Sequence, residues 1–194
     1  MEAASMQSWD SSPRKIVVCA HTAPFLDGLL VHRALCGIGT PHVVYTRGLR
    51  WDSLRPSWCQ EIKREGFVAA EAARLSALKE FCRVIFPSGG TVEWKTGFYH
   101  LAKATGAKVF VVGIDYKSAC AVAVDCAIDP ETVSADEAVA IAQARLARYA
   151  PFPLYAPLRV LIGYGDEAHD IARWKIRLAR AVIIVLVVYA LFLL

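Results

Sequence analysis

The sequence has no C-x-x-C pair, although it contains six cysteines, Cys19, Cys36, Cys59, Cys82, Cys120 and Cys126. That scatter removes the usual thiolate spacing of a zinc ribbon or a dithiol redox motif. Five of the six lie in apolar surroundings, where a reduced thiol behaves as a small hydrophobe. The pattern therefore predicts a reducing compartment and no metal site. The N-terminal stretch "MEAASMQSWDSSPRK" has no apolar h-region, so no cleaved signal peptide is expected, and residues 1–14 read as a flexible lead-in. An excess of either charge sign is also small, with 22 Lys and Arg against 18 Asp and Glu. A formal net charge of +4 is too small to argue for nucleic acid, and it suits an anionic lipid surface or an anionic substrate. No internal repeat or low-complexity tract appears, which excludes solenoids and extended linkers. No Ser or Cys sits in a nucleophile elbow, so a covalent enzyme intermediate has no obvious carrier.

What is present is apolar. Hydrophobic residues make up 56% of the 194, and mean hydropathy is +0.37, so membrane contact is already an option. Fourteen residues without a charge, "AVIIVLVVYALFLL", run from Ala181 to Leu194. A full span needs about 17–25 residues, and "WKIRLAR" extends the run because Arg177 and Arg180 can snorkel to the interface. Arg173, Lys175, Arg177 and Arg180 all precede the apolar run, so the positive-inside bias keeps the preceding domain cytosolic. Residues 171–194 are thus expected to form a basic juxtamembrane segment and a C-terminal membrane helix, a tail anchor. A buried core helix is the alternative that periodicity leaves open.

Residues 15–170 read as one α/β domain. "KIVVCA" from Lys15 is a continuous apolar run, as in a strand buried on both faces. A helical stretch, "GLLVHRALCG", ends at glycine, and "HVVYT" is the next strand. Leu49 to Glu65 is rich in Trp and Arg without a clean period: either a solvated loop and helix or a lip that meets lipid head groups. A helix is predicted over Val68 to Phe81, then a strand from Arg83 to Phe86. Trp94, Phe98, Leu101 and Thr105 recur on one helical face, and Gly106 ends that helix. "KVFVVGIDY" is a strand, "AVAVDC" a possible partner for it, and "SADE" at Ser134 a capping box opening a helix to about Tyr149. "LRVLIGYG" reads as a last strand. Alternating helices and strands predict a mostly parallel central sheet flanked by helices.

In such sheets ligands gather beyond the carboxyl ends of the strands. His21 and Asp27 follow the first strand. There an Asp can hold one imidazole nitrogen while the other faces a substrate, the arrangement a general base needs. A loop His beside a surface Asp is the plain alternative. After the strand ending at Phe86, Ser88, Gly89, Gly90 and Thr91 form a turn into a helix, whose backbone N–H groups and dipole favour a phosphate, with Lys95 as a counter-charge. The same segment imitates a P-loop, Gly89-x4-Trp94-Lys95-Thr96. Trp94 stands where the second glycine should be, and its bulk obstructs the approach of phosphates. His32, His42 and His100 fall in helical or strand patterns, where structural roles are the default. His169 lies near the juxtamembrane cluster.

These two blocks carry a resemblance. "AHTAPFLDG" looks like the His-x4-Asp block of the glycerophospholipid acyltransferases, "FPSGGT" like their Phe-Pro-Glu-Gly-Thr block, and "WKTGFYHLAKATGAKVFVVGIDYK" resembles the corresponding segment of small bacterial-type members. The similarity spans roughly Lys15 to Gly163. It implies a glycerolphosphate acyltransferase-like fold and a membrane-associated O-acyltransferase. The expected reaction moves a fatty acyl group from acyl-CoA or acyl carrier protein to a lysophospholipid such as 1-acylglycerol-3-phosphate, at the bilayer and without a further cofactor. Carried across, His21 and Asp27 are the catalytic pair, and Ser88, Gly89, Gly90, Thr91 and Lys95 hold the phosphate. Here the first spacing is His-x5-Asp, one residue longer, and Ser88 with an extra glycine replaces the Glu. Gly66 and Arg74 in "GFVAAEAAR" are the nearest counterparts of the family's middle block. A degenerate fold that binds anionic lipid without turnover is the alternative, and a nucleotide-binding protein a third, requiring Trp94 outside the core.

Overall fold

Mostly apolar strands flanked by helices bury themselves best at the centre of a parallel sheet. The computed structural model follows that rule. It describes residues 9–20, 26–46, 57–62, 66–88, 93–116 and 121–149. Six strands are ordered β3-β2-β4-β1-β5-β6: β1 (Arg14–Val18), β2 (Val43–Thr46), β3 (Cys59–Glu61), β4 (Phe81–Ile85), β5 (Lys108–Asp115) and β6 (Ala121–Ile128). The first five strands run parallel, and β6 returns antiparallel on β5 at one edge. Among the described residues, the helices that connect or follow them are α1 (Leu26–Gly37), α2 (Phe67–Ser76), α3 (Gly97–Thr105) and α4 (Ala135–Leu146). The architecture is α/β, with a mixed sheet flanked by helices.

The strand alternation sorts the core into two layers. Ile16 and Val18 of β1 join Leu75, Phe98, Leu101, Val109, Val111, Ala138 and Ala142 on the face covered by α2, α3 and α4. Val17, with Val31 and Leu35 of α1, joins Val44, Val84, Phe110 and Val112 on the other face. Trp9 closes that second layer. It is buried and meets Phe110 edge-on, with ring centroids 5.0 Å apart. The lead-in expected through residue 14 is therefore shorter than predicted: Trp9 anchors the chain to the core while Asp10, Ser11 and Pro13 stay exposed, because a large aromatic gains more from burial than a short segment loses by ordering.

Two further boundaries differ from expectation. The helix predicted to reach Phe81 ends at Ser76, and Phe81 opens β4 instead. The Phe81 N–H donates to the Pro13 carbonyl (3.0 Å), and Arg14 pairs with Phe81 in the sheet, a non-local pull invisible to helical periodicity. Within the segment expected to lack a period, Cys59–Glu61 forms edge strand β3, tied to β2 by Val44 N–H to Trp58 O (2.8 Å) and Ile62 N–H to Thr46 O (2.8 Å). Three residues are too few to show a period of two.

The remaining elements lie close to the predicted ones. Ser134 and Glu137 make the reciprocal capping box at the start of α4. Gly106 ends α3 at φ 63°, a left-handed position that costs most residues about 1 kcal/mol or more. No helix among the described residues is long and apolar enough to cross a membrane. The expected anchor at 171–194 and the strand "LRVLIGYG" lie outside the described residues.

Candidate functional site

The rim at the carboxyl ends of β4, β1 and β5 is where the sequence placed its two polar blocks. Val18, the last residue of β1, pairs with Ile85, the last of β4, and the Cys19 N–H extends the ladder to the Ile85 carbonyl (3.2 Å). Equal register means that positions 21 and 88 each follow a paired strand end by three residues. The two blocks thus leave the sheet side by side.

Asp27 lies in the first turn of α1, where a carboxylate meets the positive end of the helix dipole. It is fully buried, unusual for an acid unless it is held by partners. One such partner is the Tyr116 hydroxyl, which donates to Asp27 Oδ1. Tyr116 is the first residue beyond β5, and Cys19 the first beyond β1, so two neighbouring strand ends supply surroundings of one carboxylate. Sequence reasoning passed over Tyr116. The available signal was a phenol placed directly after a rim strand.

Cys19 lies beneath this group. Burial, the Asp27 carboxylate and Cys82 together push its thiol well above the usual range, so it stays protonated and is no nucleophile. Ser88 is buried in the turn after β4. The Lys95 backbone N–H donates to the Pro87 carbonyl (3.2 Å). Ser88 and Lys95 are therefore drawn to one place in the chain, with the Lys95 side chain exposed. His21, Gly89, Gly90 and Thr91 lie outside the described residues. Trp94 is partly buried against the core layer of α2 and α3, the opposite of what a phosphate-wrapping loop needs.

Arg74 turns to a different task from the one its position suggested. It donates through Nε (2.9 Å) and Nη2 to the Glu71 carboxylate, which also accepts from the Tyr45 hydroxyl and faces Arg83 Nε at 3.7 Å. Burial works to raise the Glu71 pKa, but the donors from Arg74 and Tyr45 and the nearby Arg83 charge outweigh it and hold the carboxyl below its ordinary value. Burial and the neighbouring Glu71 carboxylate push the Tyr45 phenol well above its ordinary value. This cluster fastens α2 to β2 and β4.

The chain matches no family model, no curated protein and no solved structure.

Proposed function

We propose that the protein is a membrane-associated O-acyltransferase that moves a fatty acyl group from an acyl thioester, acyl-CoA or acyl carrier protein, to a lysophospholipid. One observation carries this reading. A buried carboxylate, Asp27, sits at the strand-end rim where the His21 and Ser88 segments leave adjacent parallel strands in register. In the proposed reaction His21 removes the proton from a glycerol hydroxyl, and the resulting oxygen attacks the thioester carbonyl carbon. The C–S bond breaks, the thiolate leaves with the proton returned by His21, and an ester remains on the lipid. Asp27 steadies the imidazolium, and Tyr116 fixes the carboxylate that does so. The turn from Ser88 through Gly89, Gly90 and Thr91, with Lys95 beside it, is assigned to the acceptor phosphate. The apolar tail at 171–194 keeps the domain at the bilayer, facing the cytosol.

The test is transfer of labelled acyl-CoA to a panel of lysophospholipids, 1-acylglycerol-3-phosphate first. Wild-type protein should form diacyl product, and His21→Ala should reduce the rate at least about 100-fold, the scale of a lost general base. Turnover that survives His21→Ala rejects the assignment. A second reading keeps the fold and drops the chemistry: a lipid-binding module. The same buried carboxylate and rim would serve such a module without proton transfer. Lipid binding by an inactive wild type would select this second reading.

A further inference from the structure

At the opposite end of the sheet from this rim, α1 and the entry to β2 bring together three side chains that the proposed acyl transfer does not use. His32 and Cys36 lie one turn apart on α1, so they share a helical face. His42 precedes β2 and reaches back to them. His32 Nδ1 lies 2.8 Å from His42 Nε2, and Cys36 Sγ lies 3.8 Å from the His32 ring nitrogens. One donor atom from each of the three residues falls within 4.8 Å of the others.

We propose that His32, Cys36 and His42 form a binding site for a borderline transition-metal cation of the Zn2+ class, with a fourth coordination position open to solvent or to an exogenous ligand. The donor set fits that class: imidazole and thiolate select Zn2+ and its neighbours, whereas Mg2+ and Ca2+ require oxygen. Bond lengths of about 2.0–2.1 Å to nitrogen and about 2.3 Å to sulfur place tetrahedral ligand atoms roughly 3.3–3.6 Å apart. The His32–His42 and His32–Cys36 separations of 2.8 and 3.8 Å lie on either side of that range, and with all three atoms within 4.8 Å side-chain rotations can close the set around an ion.

The surroundings prepare the donors. His42 Nδ1 lies 2.8 Å from the Thr40 carbonyl, and a carbonyl only accepts. The proton must therefore sit on Nδ1, which leaves the Nε2 lone pair facing His32. A backbone carbonyl fixing the tautomer of a ligating histidine in this way is a recurrent support in metal centres. The His32 ring is held flat by Trp58, stacked at 4.1 Å and 13°. Cys36 is exposed, which gives an ion access. On binding, Cys36 loses its thiol proton and His32 moves its ring proton to Nε2, so that Nδ1 can donate to the ion. Sequence reading excluded a metal site because it looked for paired cysteines. A His-x3-Cys step on a helix, completed by a histidine six residues later, has no such signature.

The test uses the full-length purified protein and Co2+ as an absorbing substitute for Zn2+. Wild type should take up one equivalent with a near-ultraviolet thiolate-to-cobalt absorption that Zn2+ abolishes and Mg2+ does not. Cys36→Ser, an exposed position that leaves the fold intact, should lose that absorption. His42→Gln should weaken binding by at least about 10-fold. No saturable uptake by wild type overturns the site. So does a thiolate band that persists in Cys36→Ser, or His42→Gln binding as tightly as wild type. Circular dichroism of each variant checks that folding is unchanged.

Discussion

At the scale of single residues, Glu71 shows how a buried charge is tolerated. Its carboxylate is almost fully covered, and it is matched by Tyr45, Arg74 and the equally buried Arg83. Removing one partner from such a group leaves the others desolvated and uncompensated. Glu71→Ala should therefore lower unfolding stability by about 3 kcal/mol or more, read from urea denaturation. The pH dependence has a definite sign. The folded pKa of Glu71 lies below its unfolded value of 4.5, so its contribution is complete above pH 4.5 and is lost as pH falls through the folded value. The stability gap between wild type and Glu71→Gln should accordingly narrow below pH 4.5. A gap that widens there would contradict the placement of Glu71. Nothing local in "GFVAAEAARLS" announces this role: Glu71 follows two alanines on a helix and looks like a solvent-facing residue. Arg74 is within local reach three residues on, but Tyr45 and Arg83 come from β2 and β4, and only the folded chain brings them close.

At the scale of elements, Gly113 in β5 is needed for space. A Cβ built there would lie 2.2 Å from the Tyr149 ring, far inside contact distance. Tyr149 is itself held by its hydroxyl, which donates to Asp125 of β6 (3.0 Å), and Asp125 also accepts from Arg145 of α4 (3.4 Å). The end of α4 is thus latched to the β5–β6 edge over a glycine. Gly113→Val should force the ring away and cost about 1–3 kcal/mol, measured as a lower denaturation midpoint. The loss should shrink when Tyr149→Ala is added, because the colliding ring is then gone. A glycine within "VFVVGID" was readable as a strand residue, while the ring above it was not. The capping box at Ser134 was legible for the opposite reason: all of its partners lie within three residues.

At the scale of the whole molecule, β1 and β4 are parallel neighbours that end in register, so the described residues Ala20 and Ser88 follow adjacent strand ends at one rim. The chemistry proposed there also requires attachment to a bilayer through the C-terminal apolar run. Full-length protein should sediment with membranes and resist extraction by salt. Ile184→Arg combined with Val188→Arg should release it, since each arginine near a helix centre opposes insertion by about 2.5–3.5 kcal/mol. Retention of the doubly charged variant in the membrane fraction would contradict a tail anchor.

The sequence by itself determined the α/β class, the order of nearly all described elements, the caps at Gly106 and Ser134, and the strand-end position of Asp27 and Ser88. Each of these depends on hydrophobic period or on partners a few residues apart, and such information is carried in a short window of chain. Only the tertiary structure decided that Phe81 belongs to a strand, that Cys59–Glu61 pairs at an edge, and that Tyr116 meets Asp27. It alone joined His32, Cys36 and His42. Those outcomes depend on contacts between segments distant in sequence or turned back by a loop, where the free energy of pairing overrides local preference.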